Sequence, residues 1–320
     1  MWKTVRKDTF DTLAMELFQK QARAVPVYKQ YLFHLGINPH QVQHTSEIPF
    51  LPIRFFKEHR VQAYDFQPEK VFESSGTTGQ VTSKHAIASL PSYHEVCLRG
   101  FQLTFGPIQE MVIFSLLPSY LERNNASLVS MMEYLTRQTN TQLGGFFLDD
   151  MPALIQGVEH ALDQNKQVVL VGVTFALLDL VERFPQHWPQ VSVIETGGMK
   201  GRRKEITRKE LHATLKQGLG VEKVYSEYGM TELMSQAYTD GGMSFSPPPW
   251  LRVQLRDVND PFSPPSAHRP GGINVIDLAN EHSCAFIETM DIGRVGEGDS
   301  FEVLGRFDFS DIRGCNLMTL

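Results

Sequence analysis

The sequence predicts an α/β protein in which helices pack on mostly parallel sheet, followed by a small β-rich part. Short apolar runs alternate with helical patterns between Met111 and Tyr225, which is typical of repeated strand–helix–strand units. Beyond Pro247 the pattern changes to short strand-like runs separated by loops rich in proline and serine. The 320 residues are enough for one large domain or two coupled subdomains.

The N-terminal part is predicted to be helical and to end in a buried connector. Apolar residues recur at helical spacing from Phe10 toward Gln30. The run from Glu47 to Lys57 is too aromatic and too rich in proline for a regular exposed helix. We therefore predict three parts: a helical segment with connector (1–70), an α/β core (71–245) and a β-rich subdomain (246–320).

Within the core, the alternation supplies the order of strands and helices. The strand-like and helical stretches, in chain order, are Met111 to Leu117, Ser127 to Arg137, Val168 to Val173, Phe175 to Phe184, Val191 to Glu195, Glu205 to Gly218 and Val221 to Tyr225. A parallel sheet follows, because parallel strands need a helical crossover between them.

Charge and cysteine usage narrow the class of protein. The chain has 30 basic and 36 acidic residues, a net charge of -6, which argues against a general binder of nucleic acid or anionic membrane. Cys97, Cys284 and Cys315 are widely spaced and form no CxxC pair, which favours a reducing cytoplasm. The N-terminus is charged, and no apolar run reaches the roughly 20 residues of a membrane span, so we predict neither signal peptide nor span.

A loop after a strand-like run combines glycines with hydroxyl side chains. Its residues are Ser74, Ser75, Gly76, Thr77, Thr78 and Gly79. Such a loop brings backbone N–H groups and hydroxyls close to phosphates, although it lacks the Gly-Lys-Ser/Thr ending of a Walker loop. By itself it fits a turn between strands equally well.

A second motif, Tyr228-Gly229-Met230-Thr231-Glu232, follows the last predicted core strand. It sets a hydroxyl beside a carboxylate at the carboxyl end of a strand, where open α/β sheets bind ligands. Thr231 can hold a phosphate and Glu232 a Mg2+ ion, because magnesium is usually shared between one or two carboxylates and substrate phosphates. Taken alone, Thr231 also fits a helix cap.

Together these motifs resemble the phosphate loop and the YGxTE motif of the adenylate-forming superfamily of acyl and aryl ligases. Gly197-Gly198 looks like the turn that lies against adenine there, and Asp291 resembles the ribose-binding carboxylate of its TGD segment. Arg306 and Asp308 match its GRxDD hinge signature. The resemblance implies an acyl-CoA synthetase-like large N-terminal domain that uses ATP and Mg2+.

Two departures from the superfamily pattern affect the site. Thr82 stands where many members have a lysine, and Lys84 lies two residues further on. Lys84 is retained as a catalytic candidate that reaches a phosphate, with a solvated surface lysine as the alternative. The superfamily's C-terminal lid, with its catalytic lysine, has no counterpart, so activation either proceeds without that lysine or uses one from a partner.

Three further segments narrow the resemblance: Phe50 to Lys57, Pro118 to Leu128 and Arg313 to Cys315. They are similar to the acyl-protein synthetases of bacterial fatty-acid reductase complexes, the LuxE family, across nearly the full length. In that family a cysteine near the C-terminus is acylated, and Cys315 is the cysteine that fits. The alternative for Cys315 is a small buried hydrophobic residue.

The implied reaction is activation of a carboxylic acid, expected to be a fatty acid, to an acyl adenylate, followed by acyl transfer to Cys315. Thr231 would hold the α-phosphate, Glu232 the Mg2+, and Asp291 with Arg306 the ribose. An acyl reductase or carrier protein is an implied partner. Five residues are candidates for the acyl pocket: Phe114, Tyr120, Phe146, Phe147 and Met199. Two alternatives stay open: a ligase that transfers to CoA or a separate carrier, and a nucleotide-binding protein without catalysis.

Overall fold

The structure, a computed structural model, describes residues 1–63, 66–74, 81–118, 125–198, 203, 206–267 and 269–307. The helices in these residues are α1 (Phe10–Ala24), α2 (Pro26–His34), α3 (Phe55–Glu58), α4 (Leu90–Phe105), α5 (Ser127–Arg137), α6 (Met151–Asp163), α7 (Thr174–Arg183) and α8 (Arg208–Leu219). No helix in the described ranges is both long and apolar enough to cross a bilayer.

The strands follow the same chain order. They are β1 (Leu51–Pro52), β2 (Lys70–Glu73), β3 (Lys84–Ile87), β4 (Met111–Leu116), β5 (Gly145–Phe147), β6 (Gln167–Val173), β7 (Ser192–Thr196), β8 (Val224–Tyr228), β9 (Ala237–Thr239), β10 (Phe245–Ser246), β11 (Leu251–Arg256), β12 (Gly271–Asp277), β13 (Phe286–Val295) and β14 (Phe301–Arg306).

One large sheet joins most of these strands, in the order β11-β12-β13-β14-β10-β9-β8-β7-β6-β4-β5. Strands β5, β4, β6, β7 and β8 pair in parallel, as the alternation of strands and helices predicts. From β9 onward the pairing is antiparallel. The predicted class is therefore confirmed: a parallel α/β part with a C-terminal β-rich part.

The central parallel strands are buried along nearly their whole length. All six residues of β4 are buried, as are the six residues of β6 after Gln167. The sequences of these strands are nearly continuous apolar runs, because both faces of a parallel sheet are covered by helices. They form the floor that positions the loops at their carboxyl ends.

The helices that flank the site begin at well-defined caps. The Ser89 hydroxyl accepts a hydrogen bond from the Ser92 amide at the start of α4. Thr207 and Glu210 form a capping box at the start of α8, which ends at Gly220 with a φ of 63°.

One short strand joins the N-terminal part to the large sheet, and a two-stranded hairpin lies outside that sheet. Strand β1 pairs in parallel with β13, so Leu51 lies opposite Ile287. Strands β2 and β3 form a separate antiparallel hairpin that contains the predicted phosphate loop. The three predicted parts remain a prediction; the boundary at 245/246 falls within β10, which pairs with both β9 and β14.

Candidate active site

Two predicted motifs lie at the carboxyl ends of neighbouring parallel strands. Strands β7 and β8 pair with Glu195 opposite Ser226. After β7, Gly197 and Gly198 have φ angles of 77° and 64°, which glycine adopts without the steric cost of a Cβ. The glycine turn therefore lies beside the loop that follows β8, at the edge where α/β sheets bind ligands.

A buried hydrogen-bond network supports the end of β7. The Ser226 hydroxyl donates to Glu195 Oε1 at 2.6 Å, and the Thr174 hydroxyl donates to Oε2 at 3.1 Å. Burial opposes ionisation of Glu195, but hydrogen bonds from His212 and Ser226 and the charge of Arg208 outweigh it and lower its pKa. Glu195 is thus an ionised anchor that fixes the strand before the glycine turn.

Tyr228, Asp291 and Arg306 meet although they are distant in sequence. The Tyr228 hydroxyl donates to Asp291 Oδ2 at 2.8 Å, and Arg306 Nε lies 3.1 Å from Oδ1. Asp291 lies opposite Arg306 in the β13–β14 pairing and is 6% exposed. Burial raises its pKa, while the nearby Arg306 charge acts in the opposite direction. A buried carboxylate of this kind is a good acceptor for the hydroxyls of a ribose.

Glu232 provides a second buried carboxylate on the loop after β8. It is 5% exposed, and the Ser83 side chain is hydrogen-bonded to it. Burial raises its pKa, opposed by the Ser83 bond and by the charges of Arg306 and Lys57. Its oxygens suit Mg2+, which prefers oxygen ligands. No cluster of three or more His, Cys, Asp and Glu side chains in the described ranges could hold a metal by itself.

Ser74, the first residue of the predicted phosphate loop, is hydrogen-bonded to Ser83 just before β3. The Ser74 amide donates to the Ser83 carbonyl at 3.0 Å, and the Ser83 amide donates to the Ser74 hydroxyl at 2.9 Å. Ser83, which also bonds to Glu232, is thereby linked to the first residue of the predicted loop. Ser75, Gly76, Thr77, Thr78 and Gly79 lie outside the described residues.

His85, which the sequence analysis missed, connects this hairpin to the loop after β8. Its Nδ1 lies 2.8 Å from the Thr231 carbonyl oxygen, and its Nε2 lies 3.1 Å from Asn280 Oδ1. The ring is fully buried, and burial lowers its pKa. The only sequence signal was its position directly after Lys84, in the strand that leaves the phosphate loop.

Lys84 lies on the other face of the hairpin. Ser83 and His85 are both buried, whereas Lys84 between them is exposed. Side chains alternate between faces along a strand, so Lys84 points away from the face that contacts Glu232 and Thr231. Its catalytic role stays a prediction.

An apolar cavity lies beneath the ends of β6, β7 and β8. Its lining residues come from α4, α5 and four strands, and are Phe101, Leu128, Met131, Met132, Val171, Ile194, Thr196, Glu227 and Tyr238. Thr196 Oγ1 donates to the Glu227 carboxylate at its edge. The space admits only about one water-sized sphere, so the side chains nearly fill it.

The cavity differs from the aromatic set predicted for an acyl pocket. Phe114 is fully buried and packs on Phe147 at a centroid distance of 5.7 Å, and neither they nor Phe146 line this cavity. Tyr120 and Met199 lie outside the described residues. The sequence analysis missed Met131 and Met132 because a helical apolar face looks the same whether it covers a core or a pocket.

The two described cysteines are buried. Cys97 is on α4, and burial raises the pKa of its thiol. Burial also raises the pKa of the Cys284 thiol, to about 12. Neither is therefore a good nucleophile. Asp308 and Cys315 lie outside the described residues.

The fold corresponds to a known class. The architecture is that of the N-terminal domain of the adenylate-forming enzymes, so the predicted acyl-CoA synthetase-like fold is confirmed. No protein-family model matches the sequence, and no curated protein matches it significantly.

Three solved structures illustrate the likeness. A 2-hydroxyisobutyryl-CoA ligase in complex with 2-HIB-AMP and CoA matches with a TM-score of 0.69 and 12% identity, over 95% of this chain and 69% of that one. The ATP-bound chimera RpMatB-BxBclM matches with a TM-score of 0.54 and 16% identity, over 74% and 47% of the two chains. O-succinylbenzoate coenzyme A synthetase from Bacillus subtilis, in complex with AMP, matches with a TM-score of 0.52 and 16% identity, over 74% of this chain and 49% of that one.

Proposed function

We propose that this protein activates a carboxylic acid with ATP as an acyl adenylate and transfers the acyl group to the thiol of Cys315. The observation that carries the proposal is the Tyr228–Asp291–Arg306 cluster beside the glycine turn and Glu232, in a fold shared with adenylate-forming ligases. The LuxE-type resemblance, with a fatty acid as substrate and an acyl reductase as partner, belongs to this proposal.

The roles follow from the chemistry of each group. Gly197 and Gly198 leave space beside the adenine, and Asp291 with Arg306 accepts and orients the ribose. Ser74 to Gly79 holds the β- and γ-phosphates through hydroxyls and backbone N–H groups, and Thr231 holds the α-phosphate. Glu232 would hold Mg2+ together with phosphate oxygens, and the ion would neutralise phosphate charge when bound. The pre-oriented donors of the site favour the charge distribution of the transition state.

The first half-reaction forms a mixed anhydride. A carboxylate oxygen of the acid attacks the α-phosphorus of ATP, and the bond from that phosphorus to the bridging oxygen breaks, so pyrophosphate leaves. The apolar cavity lined by Met131 and Met132 receives the hydrocarbon part of the acid, because methionine side chains rearrange easily around a ligand.

The second half-reaction forms a thioester. The Cys315 thiol loses its proton to solvent, its sulfur attacks the acyl carbon, and the bond to AMP breaks. A thiolate suits this step because it is strongly nucleophilic near neutral pH. The buried Cys97 and Cys284 thiols, with raised pKa values, are poor rivals.

The test is the intact mass of the protein after incubation with ATP, Mg2+ and a mixture of fatty and aryl acids, measured before and after neutral hydroxylamine. We expect a hydroxylamine-labile acyl mass in the wild type and in the Cys284→Ala control, and none in Cys315→Ser. Unchanged mass in the wild type, with pyrophosphate exchange present, would contradict transfer to Cys315.

A second candidate function is transfer of the acyl group to CoA. It is favoured by the likeness to a solved CoA ligase that was crystallised with CoA. In that case Cys315→Ser would form acyl-CoA as fast as the wild type. A protein that binds ATP but exchanges no pyrophosphate with any acid would have neither activity.

A further inference from the structure

We propose that His85 is a positioning residue, which holds the Thr231-Glu232 peptide against the phosphate-loop hairpin during adenylate formation. The inference rests on the proposed function and adds a residue to it. His85 is on β3 and Thr231 follows β8, so this contact joins two parts of the site whose described strands lie in different sheets.

The first contact has a defined direction. The Thr231 carbonyl oxygen only accepts hydrogen bonds, so Nδ1 of His85 is the donor across the 2.8 Å distance. The ring is fully buried and Thr231 is half-buried, so loss of the donor removes a hydrogen-bond partner from a carbonyl that is partly shielded from water. His85 thereby fixes the peptide between Thr231 and Glu232.

Asn280 holds the other carbonyl of the pair. Its Nδ2 donates to the Glu232 carbonyl and to the Cys284 carbonyl, each at 3.0 Å. These two bonds orient the amide, so its Oδ1, which only accepts, faces His85 Nε2 at 3.1 Å. A neutral ring that donates from Nδ1 makes only a close contact there, whereas a protonated ring donates to both oxygens. Consecutive carbonyls at Thr231 and Glu232 are thus held by two side chains that contact each other.

The hairpin makes a second contact with the Thr231-Glu232 segment. Ser83, two residues before His85, bonds to the Glu232 carboxylate, and Ser83 also closes the phosphate loop onto Ser74. Ser83 directly precedes β3 and His85 is the second residue of β3, so the hairpin contacts the Thr231-Glu232 segment at both positions. The ring of Phe56 packs against His85 at a centroid distance of 5.9 Å and limits its movement.

This arrangement affects the chemistry because the Thr231 and Glu232 side chains must be correctly positioned relative to the phosphate groups of ATP. A displacement of about 1 Å in a positioning contact lowers a rate on the order of 100-fold. Loss of His85 is therefore expected to affect the adenylation step more than the binding of the acid.

Two substitutions separate this role from simple packing. His85→Leu removes both ring nitrogens, whereas His85→Asn places an amide nitrogen near the position of Nδ1 and can still donate to Thr231. We expect kcat for pyrophosphate exchange to fall about 10- to 100-fold in His85→Leu and to recover largely in His85→Asn. The KM for the acid should stay near the wild-type value in both.

Tyr28→Phe is the matched control. The Tyr28 hydroxyl donates to the Pro49 carbonyl at 2.7 Å in a fully buried setting, so this variant also removes one buried donor to a carbonyl. We expect its exchange rate to equal that of the wild type. An equal loss in Tyr28→Phe and His85→Leu, or an unchanged kcat in His85→Leu, would overturn the positioning role.

A second readout keeps the inference separate from the proposed function. The rise in melting temperature on addition of MgATP is measured for the wild type, His85→Leu and His85→Asn without any acid. We expect the rise to be smaller in His85→Leu and restored in His85→Asn. If the wild type exchanges no pyrophosphate, the proposed function fails, but this comparison still applies. Equal rises in all three proteins, or no rise in the wild type, would overturn the role of His85.

Discussion

At the scale of single residues, the site depends on carboxylates that are buried without full charge compensation. Glu232 and Asp291 are 5% and 6% exposed, and burial raises the pKa of each. Buried acids with raised pKa values are typical of functional sites, because a bound ligand supplies the missing partners. Ionised, these buried carboxylates lower the stability of the ligand-free protein, so measurements of stability can test their role.

We predict that Glu232→Gln stabilises the free protein at alkaline pH while it abolishes most activity. A carboxyl group whose pKa is raised by folding favours the folded state below its unfolded pKa, and that advantage is lost as pH rises through the folded pKa. The melting temperature of Glu232→Gln relative to wild type should thus be higher at about pH 8 than at about pH 4. Pyrophosphate exchange should fall on the order of 100-fold.

The control for this prediction is Glu159→Gln, which changes an exposed glutamate on α6. Its melting temperature should follow the wild type at both pH values. A Glu232→Gln variant that is less stable than wild type at pH 8 would mean that the ionised carboxylate is well compensated in the free protein.

We predict that the three cysteines differ sharply in reactivity. Burial raises the pKa of the Cys97 thiol, and that of the Cys284 thiol to about 12, so both remain protonated near neutral pH. Iodoacetamide should therefore modify Cys315 first in the native protein, and all three only in denaturant. Peptide mass mapping measures this order, and early labelling of Cys97 or Cys284 would contradict it.

At the scale of elements, the loop after Glu232 is held by one residue of β12. The Asp277 carboxylate accepts hydrogen bonds from the amides of Met234, Ser235 and Ala279 at 2.9, 3.0 and 3.1 Å. The Ser235 hydroxyl adds a fourth bond at 2.7 Å. Burial raises the pKa of Asp277 to about 6 despite these bonds. The loop is thus anchored from both sides, by His85 and by Asp277.

We predict that Asp277→Asn lowers the free energy of unfolding by about 2–4 kcal/mol, because an amide NH2 would face backbone donors. Urea denaturation measures the change. Asp240→Asn is the control, since Asp240 is exposed and accepts one bond from the Gly242 amide at 3.0 Å. Equal stability of the two variants would contradict the anchoring role.

We predict that shortening the methionines of α5 widens the range of acids. Met131 and Met132 line a cavity that their side chains nearly fill. In Met131→Ala, the KM of the longest acid that the wild type accepts should fall about tenfold, since the fit of a few methylene groups in a pocket changes affinity by about that factor. Met15→Ala on α1 is the control. An unchanged order of preference among acids in Met131→Ala would mean that the acid binds elsewhere.

At the scale of the whole molecule, one sheet runs through all three predicted parts of the chain. Strand β1 from the N-terminal part pairs with β13, and β8 from the parallel part pairs with β9. Trp2 packs on Trp250 at a centroid distance of 4.9 Å, which links the N-terminal segment to the β-rich part. The site residues therefore sit on one connected framework.

We predict a single unfolding transition for the whole chain. Trp188 lies in the α/β part, whereas Trp2 and Trp250 report on the contact between the N-terminal segment and the β-rich part. Fluorescence of a Trp188→Phe variant, fluorescence of the wild type and far-UV circular dichroism should give coincident urea curves. Separate midpoints would indicate subdomains that unfold independently.

Much of the fold was predictable from local patterns. The alternation between Met111 and Tyr225 predicts the parallel strands, because buried strands and amphipathic helices leave distinct periods in neighbouring residues. His85 and the cavity were missed, since a lone histidine in a short strand and a methionine on a helix carry no local signature of function.

The sequence by itself determined the α/β class, the alternation of most strands and helices along the parallel part, and which residues have the chemistry for an adenylate. Only the tertiary structure decided which of them meet. His85 contacts Thr231 across 146 residues and Asn280 across 195, and Tyr228 contacts Asp291 across 63. Periodicity and motif spacing describe neighbours along the chain, whereas these contacts depend on how the twelve-stranded sheet and the separate β2–β3 hairpin pack against each other.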